Sequence, residues 1–154
     1  MASSDGVKLL SDIHLKWFDA SSLLEDDQRK LLELFLQSLG ITSDVARDLL
    51  HVLFASRAQD TALSGRQLRD AIITLRKMRN AGDAEKGLTM RNILVWLKYF
   101  SDIRLVEKIG SRYHFKGNKK PSRAFSDGTK PLVEDSVKYV EKLLERLEES
   151  FNIK

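Results

Sequence analysis

The fold is decided by one stretch, GLTMRNILVWLKYFSDIRLVEKIGSRYHF, residues 87–115. In its first half, apolar residues recur at about 100° per residue on one side of a predicted helix; they are Met90, Ile93, Leu94, Leu97 and Phe100. The second half alternates, which predicts short strands over residues 105–109 and 112–115. Gly110-Ser111 between them suits a two-residue type II′ hairpin loop. The stretch therefore predicts a helix, a sharp turn and a tight hairpin with almost no spacer.

The other side of this helix, which starts at Thr89, is polar and cationic, and the hairpin presents further cations beside it. The residues predicted to bind DNA here are Thr89, Arg91, Asn92, Val95, Lys98, Tyr99, Arg104, Lys108 and Arg112. A helix that enters the DNA major groove needs an exposed face of this kind, with its opposite face held by the protein body. Arg91 suits guanine and Asn92 suits adenine by bidentate geometry, whereas the lysines and the hairpin cations suit phosphates.

Helices are also predicted upstream. Ser64-Gly-Arg-Gln67 is a capping box that opens a helix with inward residues Leu68, Ile72, Leu75 and Met78. A helix starting near Thr42 or Ser43 carries the apolar residues Val45, Leu49, Leu50, Leu53 and Phe54. Ser22-Leu-Leu-Glu25 has capping-box spacing for a helix that ends at Gly40. The first twenty residues predict a short amphipathic helix with Leu9, Leu10, Ile13, Trp17 and Phe18.

The pattern Thr89-x-Arg91-x-Ile93-x-x-Trp96-Leu97-x-Tyr99-Phe100, continued by Ile103-Arg-Leu-Val-Glu-Lys-Ile-Gly110, resembles the recognition helix and wing of winged helix-turn-helix proteins. PadR-type and archaeal regulators are examples of that superfamily. The resemblance covers about residues 45–115 and implies a mainly α fold: a winged helix-turn-helix with a short β-hairpin wing, N-terminal helices and a long C-terminal helix. One departure is the connection over residues 79–88, which is longer than the usual 3–4-residue turn.

Positive charge is concentrated after the predicted recognition helix. Residues 104–130 contain eight Lys or Arg and two acids, +6 in a chain whose net charge is +4. This localisation favours an anionic partner. Residues 117–131 are predicted to be a basic linker that adds diffuse DNA contacts through Lys119, Lys120 and Arg123.

The final helix, predicted from about residue 132, carries a narrow apolar seam. Its members are spaced 4, 3, 4, 3, 4 in the order Val133, Val137, Val140, Leu144, Leu147 and Phe151, which is coiled-coil spacing. The seam predicts a homodimer contact that would place two recognition helices on successive half-sites. The alternative is that the seam packs on the N-terminal helices of the same chain.

Several classes of function are disfavoured. The chain has no cysteine, and its three histidines are far apart without metal spacing. It has no nucleophile elbow, phosphate-binding glycine loop or zinc signature, so we expect no enzyme activity, cofactor or metal. No stretch approaches the roughly 20 apolar residues that span a bilayer, and the start lacks a signal pattern. We therefore expect a cytoplasmic protein with no membrane partner.

The sequence predicts four regions: an N-terminal helical extension (1–41), a winged helix-turn-helix (42–116), the basic linker (117–131) and a dimerisation or packing helix (132–154). The predicted function is binding of double-stranded DNA by the recognition helix (89–101) and the wing, as a transcriptional regulator or nucleoid-associated factor. The alternative is a non-enzymatic accessory subunit of a replication or transcription complex, whose winged helix docks a protein partner. Val95 and Tyr99 are the residues that could seed such a docking patch.

Overall fold

A computed structural model describes residues 6–80 and 82–154, and the chain is mainly helical with a small three-stranded antiparallel sheet. The helices and strands are α1 (Gln28–Ser38), α2 (Asp44–Ala58), β1 (Leu63–Ser64), α3 (Gly65–Met78), α4 (Met90–Asp102), β2 (Val106–Ile109), β3 (Arg112–Phe115), α5 (Pro121–Ala124) and α6 (Lys130–Ser150). Single 3-10 turns occupy Ala20–Leu24 and Lys116–Asn118, and a π turn, Phe125–Thr129, joins α5 to α6.

Helices α1 to α4 begin at side chains that accept hydrogen bonds from free backbone N–H groups. Ser43 caps α2, Thr89 caps α4, and Ser64 and Gln67 form the predicted capping box at α3. At the end of α1, the N–H of Ile41 donates to the Leu36 carbonyl at 2.9 Å across Gly40, whose φ is 76°. Gly40 is thus the predicted C′ glycine, since a side chain disfavours this φ.

The core lies where α2, α3, α4 and the sheet meet. Leu49 and Leu50 of α2, Ile72 of α3 and Phe100 of α4 are fully buried. Three residues predicted to face inward do not: Met78 is 78% exposed, Leu94 46% and Phe54 41%. Each of the three lies at the edge of the apolar face of its helix, and that face is wider than the part that neighbouring elements cover.

The predicted hairpin is confirmed. β2 and β3 pair antiparallel from Val106 opposite Phe115 to Ile109 opposite Arg112, and Gly110 in the loop has a φ of 62°. A third strand, β1, pairs with the free edge of β3 and places Leu63 opposite Tyr113. Sequence periodicity missed β1 because two residues are too few to alternate.

The predicted helix in the first twenty residues is wrong where the structure describes it, since residues 7–19 contain no helix; residues 1–5 lie outside the described part. The Lys16 N–H donates to the Ser38 carbonyl at 2.8 Å, and Trp17 is 91% exposed. The capping box expected at Ser22 is also absent here. The Glu25 carboxylate instead accepts from the N–H groups of Asp26 and Asp27, and Asp27 caps α1.

The predicted linker is helical over most of its length. α5 begins at Pro121, and the π turn connects it to α6, so residues 121–150 form a continuous helical run. Proline is tolerated at a helix start, and a π turn suits a point where a proline removes a backbone donor. Pro121 occupies the first position and Pro131 follows the π turn. The two prolines therefore do not interrupt the helical run.

The last two thirds of α6 stand away from the rest of the chain, since residues 137–154 are all exposed. The predicted seam is consequently not packed on the N-terminal helices. None of the described helices is both long and apolar enough to cross a membrane.

Candidate nucleic-acid interface

The exposed face of α4 is narrow and mixed in character. Arg91, Val95 and Lys98 point away from the core, with Leu94 beside them. The opposite face is held by fully buried side chains, Ile93 and Phe100 among them. This arrangement fixes the orientation of the helix and leaves two cations and two aliphatic side chains for a partner.

The polar side chains at the start of α4 form hydrogen bonds within the chain. Thr89 Oγ1 accepts from the Asn92 N–H at 3.1 Å, and Asn92 Nδ2 donates to the Gly87 carbonyl at 2.8 Å. Asn92 therefore helps to fix the entry of α4, and its bidentate contact with adenine stays a prediction.

Two other predicted groove residues are engaged within the chain. Lys98 Nζ lies 2.8 Å from Asp102 Oδ2, an exposed i,i+4 ion pair. Tyr99 is half-buried, and its ring packs edge-on against Trp96 and Phe100 at 5.9 and 5.6 Å between centroids. Burial, and then the charge of Asp12, raises the pKa of Tyr99. Tyr99 therefore faces the N-terminal segment and contributes little to the exposed face of α4.

The hairpin and the start of α3 complete the surface. Lys108 Nζ lies 5.9 Å from the centre of the Tyr113 ring on the hairpin. A Cβ on Gly65 would lie 3.7 Å from Leu94 and 3.9 Å from Tyr113, so α3 begins where α4 meets the hairpin. Arg66, the next residue, is exposed. Sequence reasoning missed Arg66, although its place two residues after the cap Ser64 was a signal.

Arg112 lies on the outward side of the same hairpin. Its Nη1 donates to the Ala62 carbonyl at 2.7 Å, which fixes the guanidinium beside β1 but leaves its charge unpaired by any described acid. Arg66, Arg91 and Lys108 also form no salt bridge within the described residues. We call these four residues, Arg66, Arg91, Lys108 and Arg112, the α4–hairpin cations.

The remaining predicted DNA contacts lie at the opposite end of the hairpin. Arg104 follows α4 in a left-handed conformation, with a φ of 60°. Lys119 and Arg123 both pair with Asp127, at 2.5 and 3.3 Å, and Lys120 immediately precedes α5. The hydrogen bond from Lys119 is the main reason that the pKa of Asp127 is lowered. The structure thus separates these residues from the α4–hairpin cations, and Asp127 offsets two of their charges.

Charge is divided between two parts of the chain. Residues 89–116 contain six Lys or Arg and two acids, whereas α6 contains four Lys or Arg and six acids. Both acids of the first segment are engaged: Asp102 with Lys98, and Glu107 with the Gly117 N–H at 2.6 Å. The α4–hairpin surface is therefore the one suited to an anionic partner.

A buried ionic cluster supports this surface from behind. Asp48 of α2 is 1% exposed and accepts hydrogen bonds from three arginines: Arg47 Nε at 3.2 Å, Arg76 Nε at 2.8 Å and Arg79 Nη2 at 3.0 Å. We call these four residues the Asp48 cluster. Burial alone would raise the pKa of Asp48, but the Arg76 hydrogen bond and the charges of Arg47 and Arg79 hold the pKa below its ordinary value.

The same arginine face of α3 orders the long connection before α4. Arg76 Nη1 donates to the Lys86 carbonyl at 2.6 Å, and Arg69 Nε donates to the Leu88 carbonyl at 2.5 Å. Arg69 Nη2 also lies 3.3 Å from Glu85 Oε1. The connection is thus held to α3 at two points, and the second of them immediately precedes the cap Thr89.

Among the described residues, His, Asp and Glu side chains do not converge in a group of three that could hold a metal ion. The chain matches no protein-family model, no curated protein and no solved structure.

Proposed function

We propose that this chain is a non-enzymatic protein that binds double-stranded DNA through a winged helix-turn-helix, as a transcriptional regulator or nucleoid-associated factor. In this proposal α3 and α4 are the helix-turn-helix pair, α4 is the recognition helix and the β2–β3 hairpin is the wing. The order of the elements supports it, since a tight hairpin follows α4 after three residues. The arginine contacts to the 80–88 connection offset its length, because they fix the entry of α4.

The observation that carries the proposal is that the four α4–hairpin cations, which lie on α3, α4 and the hairpin, form no salt bridge with a described acid. A DNA-binding surface gains most of its affinity by replacing counterions on phosphates, so it needs cations that are free to do so. Cations already paired within the chain, such as Lys98, would contribute less. The acidic α6 would be repelled by DNA, which leaves one orientation for docking.

Within this surface the side chains divide by role. Arg91 lies in the first turn of α4, where base edges are reached, and a bidentate contact with guanine suits its guanidinium. Leu94 and Val95 would meet thymine methyl groups, the apolar feature of the major groove. Arg66 at the start of α3 and Lys108 and Arg112 on the hairpin suit phosphates, which position the protein without reading sequence.

The test is fluorescence anisotropy with a labelled random-sequence duplex between 50 and 200 mM salt. Three phosphate contacts predict a slope of log K against log salt of about −2.7, or roughly a 40-fold loss over this range. The Arg91→Ala/Lys108→Ala variant should bind more weakly and lower the slope by about 1, because Lys108 is the phosphate contact of the two. Lys138→Ala/Lys142→Ala on α6 removes the same charge elsewhere and should change little. Absence of binding at 50 mM salt, or equal effects of both variants, would refute the proposal.

A specific observation favours a second candidate, a protein-docking surface. Leu94 and Val95 are adjacent on the exposed face of α4 and are 46% and 56% exposed, and exposed apolar patches commonly mark binding sites for proteins. Of the two residues predicted to seed such a patch, Val95 lies in it and the half-buried Tyr99 does not. In this case a protein partner of a replication or transcription complex would bind with a small salt slope, and Leu94→Ser/Val95→Ser would abolish binding.

A further inference from the structure

The apolar seam of α6 is left uncovered along most of its length. Val133, where the helix leaves the body, is half-buried. The next four members are 51–55% exposed and Phe151 is 73% exposed; these members are Val137, Val140, Leu144, Leu147 and Phe151. Half-exposure is what a helix stripe shows when its own backbone is the only cover it has. A second helix would therefore bury the remaining half.

We propose that α6 binds α6 of a second copy of this chain as a parallel two-stranded coiled coil. The spacing of 4, 3, 4, 3, 4 keeps the seam on one side of a supercoiled pair, whereas a helix packing on a globular body carries a wider stripe. The seam is about 27 Å long at 1.5 Å per residue, from Val133 to Phe151. It ends one residue after α6 does, so nearly the whole helix takes part.

The residues that flank the seam decide whether the two α6 helices pair parallel or antiparallel. On one flank lie three acids, Glu134, Glu141 and Glu148, each directly after a seam residue. On the other flank lie three uncharged residues, Ser136, Leu143 and Ser150. In a parallel pair each flank faces the opposite flank of its partner, whereas in an antiparallel pair each flank faces its own kind. Antiparallel pairing would set six glutamates against one another, and parallel pairing sets them against serine and leucine.

Because α6 is attached to the folded body, a short coiled coil is sufficient for dimerisation. Isolated helices of this length are marginal in water because nucleation is unfavourable. Here the helical run begins at Pro121, and Ala124, Gly128 and Thr129 within it are buried against the body. The first turns of α6 are consequently formed before association. A parallel pair also places both copies of α4 at the same end of the coiled coil.

The first test is the mass in solution at about 50 µM, by light scattering after gel filtration. We expect twice the 17.6 kDa of one chain. Leu144→Glu in the seam should give a monomer that still unfolds cooperatively, since this part of α6 is exposed in the single chain, and its Tm should be lower only by the stabilisation that dimerisation adds. Lys142→Glu, on the outer side of the same helix, should remain a dimer. A monomeric wild type, or a dimer that Leu144→Glu leaves intact, would overturn the proposal.

The second test fixes the direction and uses the absence of native cysteine. In a parallel pair the two copies of residue 147 are adjacent, so Leu147→Cys alone should form a disulfide-linked dimer under copper–phenanthroline oxidation. In an antiparallel pair residue 147 meets residue 137, and the two copies of 147 are about 15 Å apart. Cross-linking that appears only in mixtures of Leu147→Cys with Val137→Cys would therefore overturn the parallel arrangement. Lys142→Cys on the outer side is the matched control and should not cross-link.

Discussion

Replacing Asp48 with asparagine should be strongly destabilising, because the carboxylate is 1% exposed and accepts hydrogen bonds from three arginines. Hydrogen bonds to charged groups contribute about 1.5–3 kcal/mol each, so three of them set an upper range of about 4.5–9 kcal/mol. Asparagine keeps one acceptor oxygen and the same shape, which reduces the loss. We expect about 3–5 kcal/mol, the usual cost of leaving a buried charge without its partner.

The assay is urea unfolding followed by far-UV circular dichroism, with Asp44→Asn as the matched control. Asp44 pairs with the same residue, Arg47, at 2.9 Å, but its side chain is 78% exposed. Exposed ion pairs contribute less than about 1 kcal/mol, so the control should lose no more than that. A loss below about 1 kcal/mol for Asp48→Asn, or equal losses for both variants, would refute the view that burial makes the Asp48 cluster important.

Three further predictions concern stability. Because the folded-state pKa of Asp48 is lowered, its contribution to the free energy of unfolding is present above the ordinary aspartate pKa of about 3.9 and is lost as the pH falls through the folded-state pKa. The urea midpoint of wild type should therefore drop between pH 6 and pH 3 by more than that of Asp48→Asn. Equal drops for the two proteins would contradict this. In an ordinary helix Gly→Ala would add about 1 kcal/mol of stability. Gly128→Ala should instead lower Tm by an amount equivalent to about 1–3 kcal/mol, since the new Cβ would overlap the Arg104 carbonyl oxygen. A raised Tm would show that the helical run is not packed against Arg104. Ser64→Ala should cost about 1 kcal/mol by chemical denaturation because it removes the hydrogen bond to the Gln67 N–H, and Ser126→Ala, at an exposed position without a cap, serves as the neutral reference.

The local features of this chain could be predicted because they depend on neighbours in sequence. The cap Ser64, the C′ glycine Gly40 and the loop glycine Gly110 act on groups within about five residues of themselves. Helices α2, α3 and α4 and the hairpin followed from these signals and from periodicity. The division of α4 into a buried face and a cationic face was predictable for the same reason.

The same local signals failed where a side chain had two possible partners. Glu25 was predicted to reach back to Ser22, but it bonds the N–H groups of Asp26 and Asp27. The competing N–H groups are as close in sequence to Glu25 as the predicted partner Ser22, so the sequence alone could not choose between them.

The sequence by itself determined helices α2, α3 and α4, the hairpin and the location of positive charge, because capping, turn geometry and periodicity act over a few residues. Only the tertiary structure decided what each face meets. Asp48 and Arg76 are 28 residues apart and form their buried ion pair only because α2 packs on α3. Leu94 looks like a core residue by spacing, yet its side chain is 46% exposed, and Gly128 looks like a linker residue but is buried against Arg104. Burial depends on elements that are distant in sequence. The contribution of a buried residue to the free energy of unfolding therefore follows only from the tertiary structure.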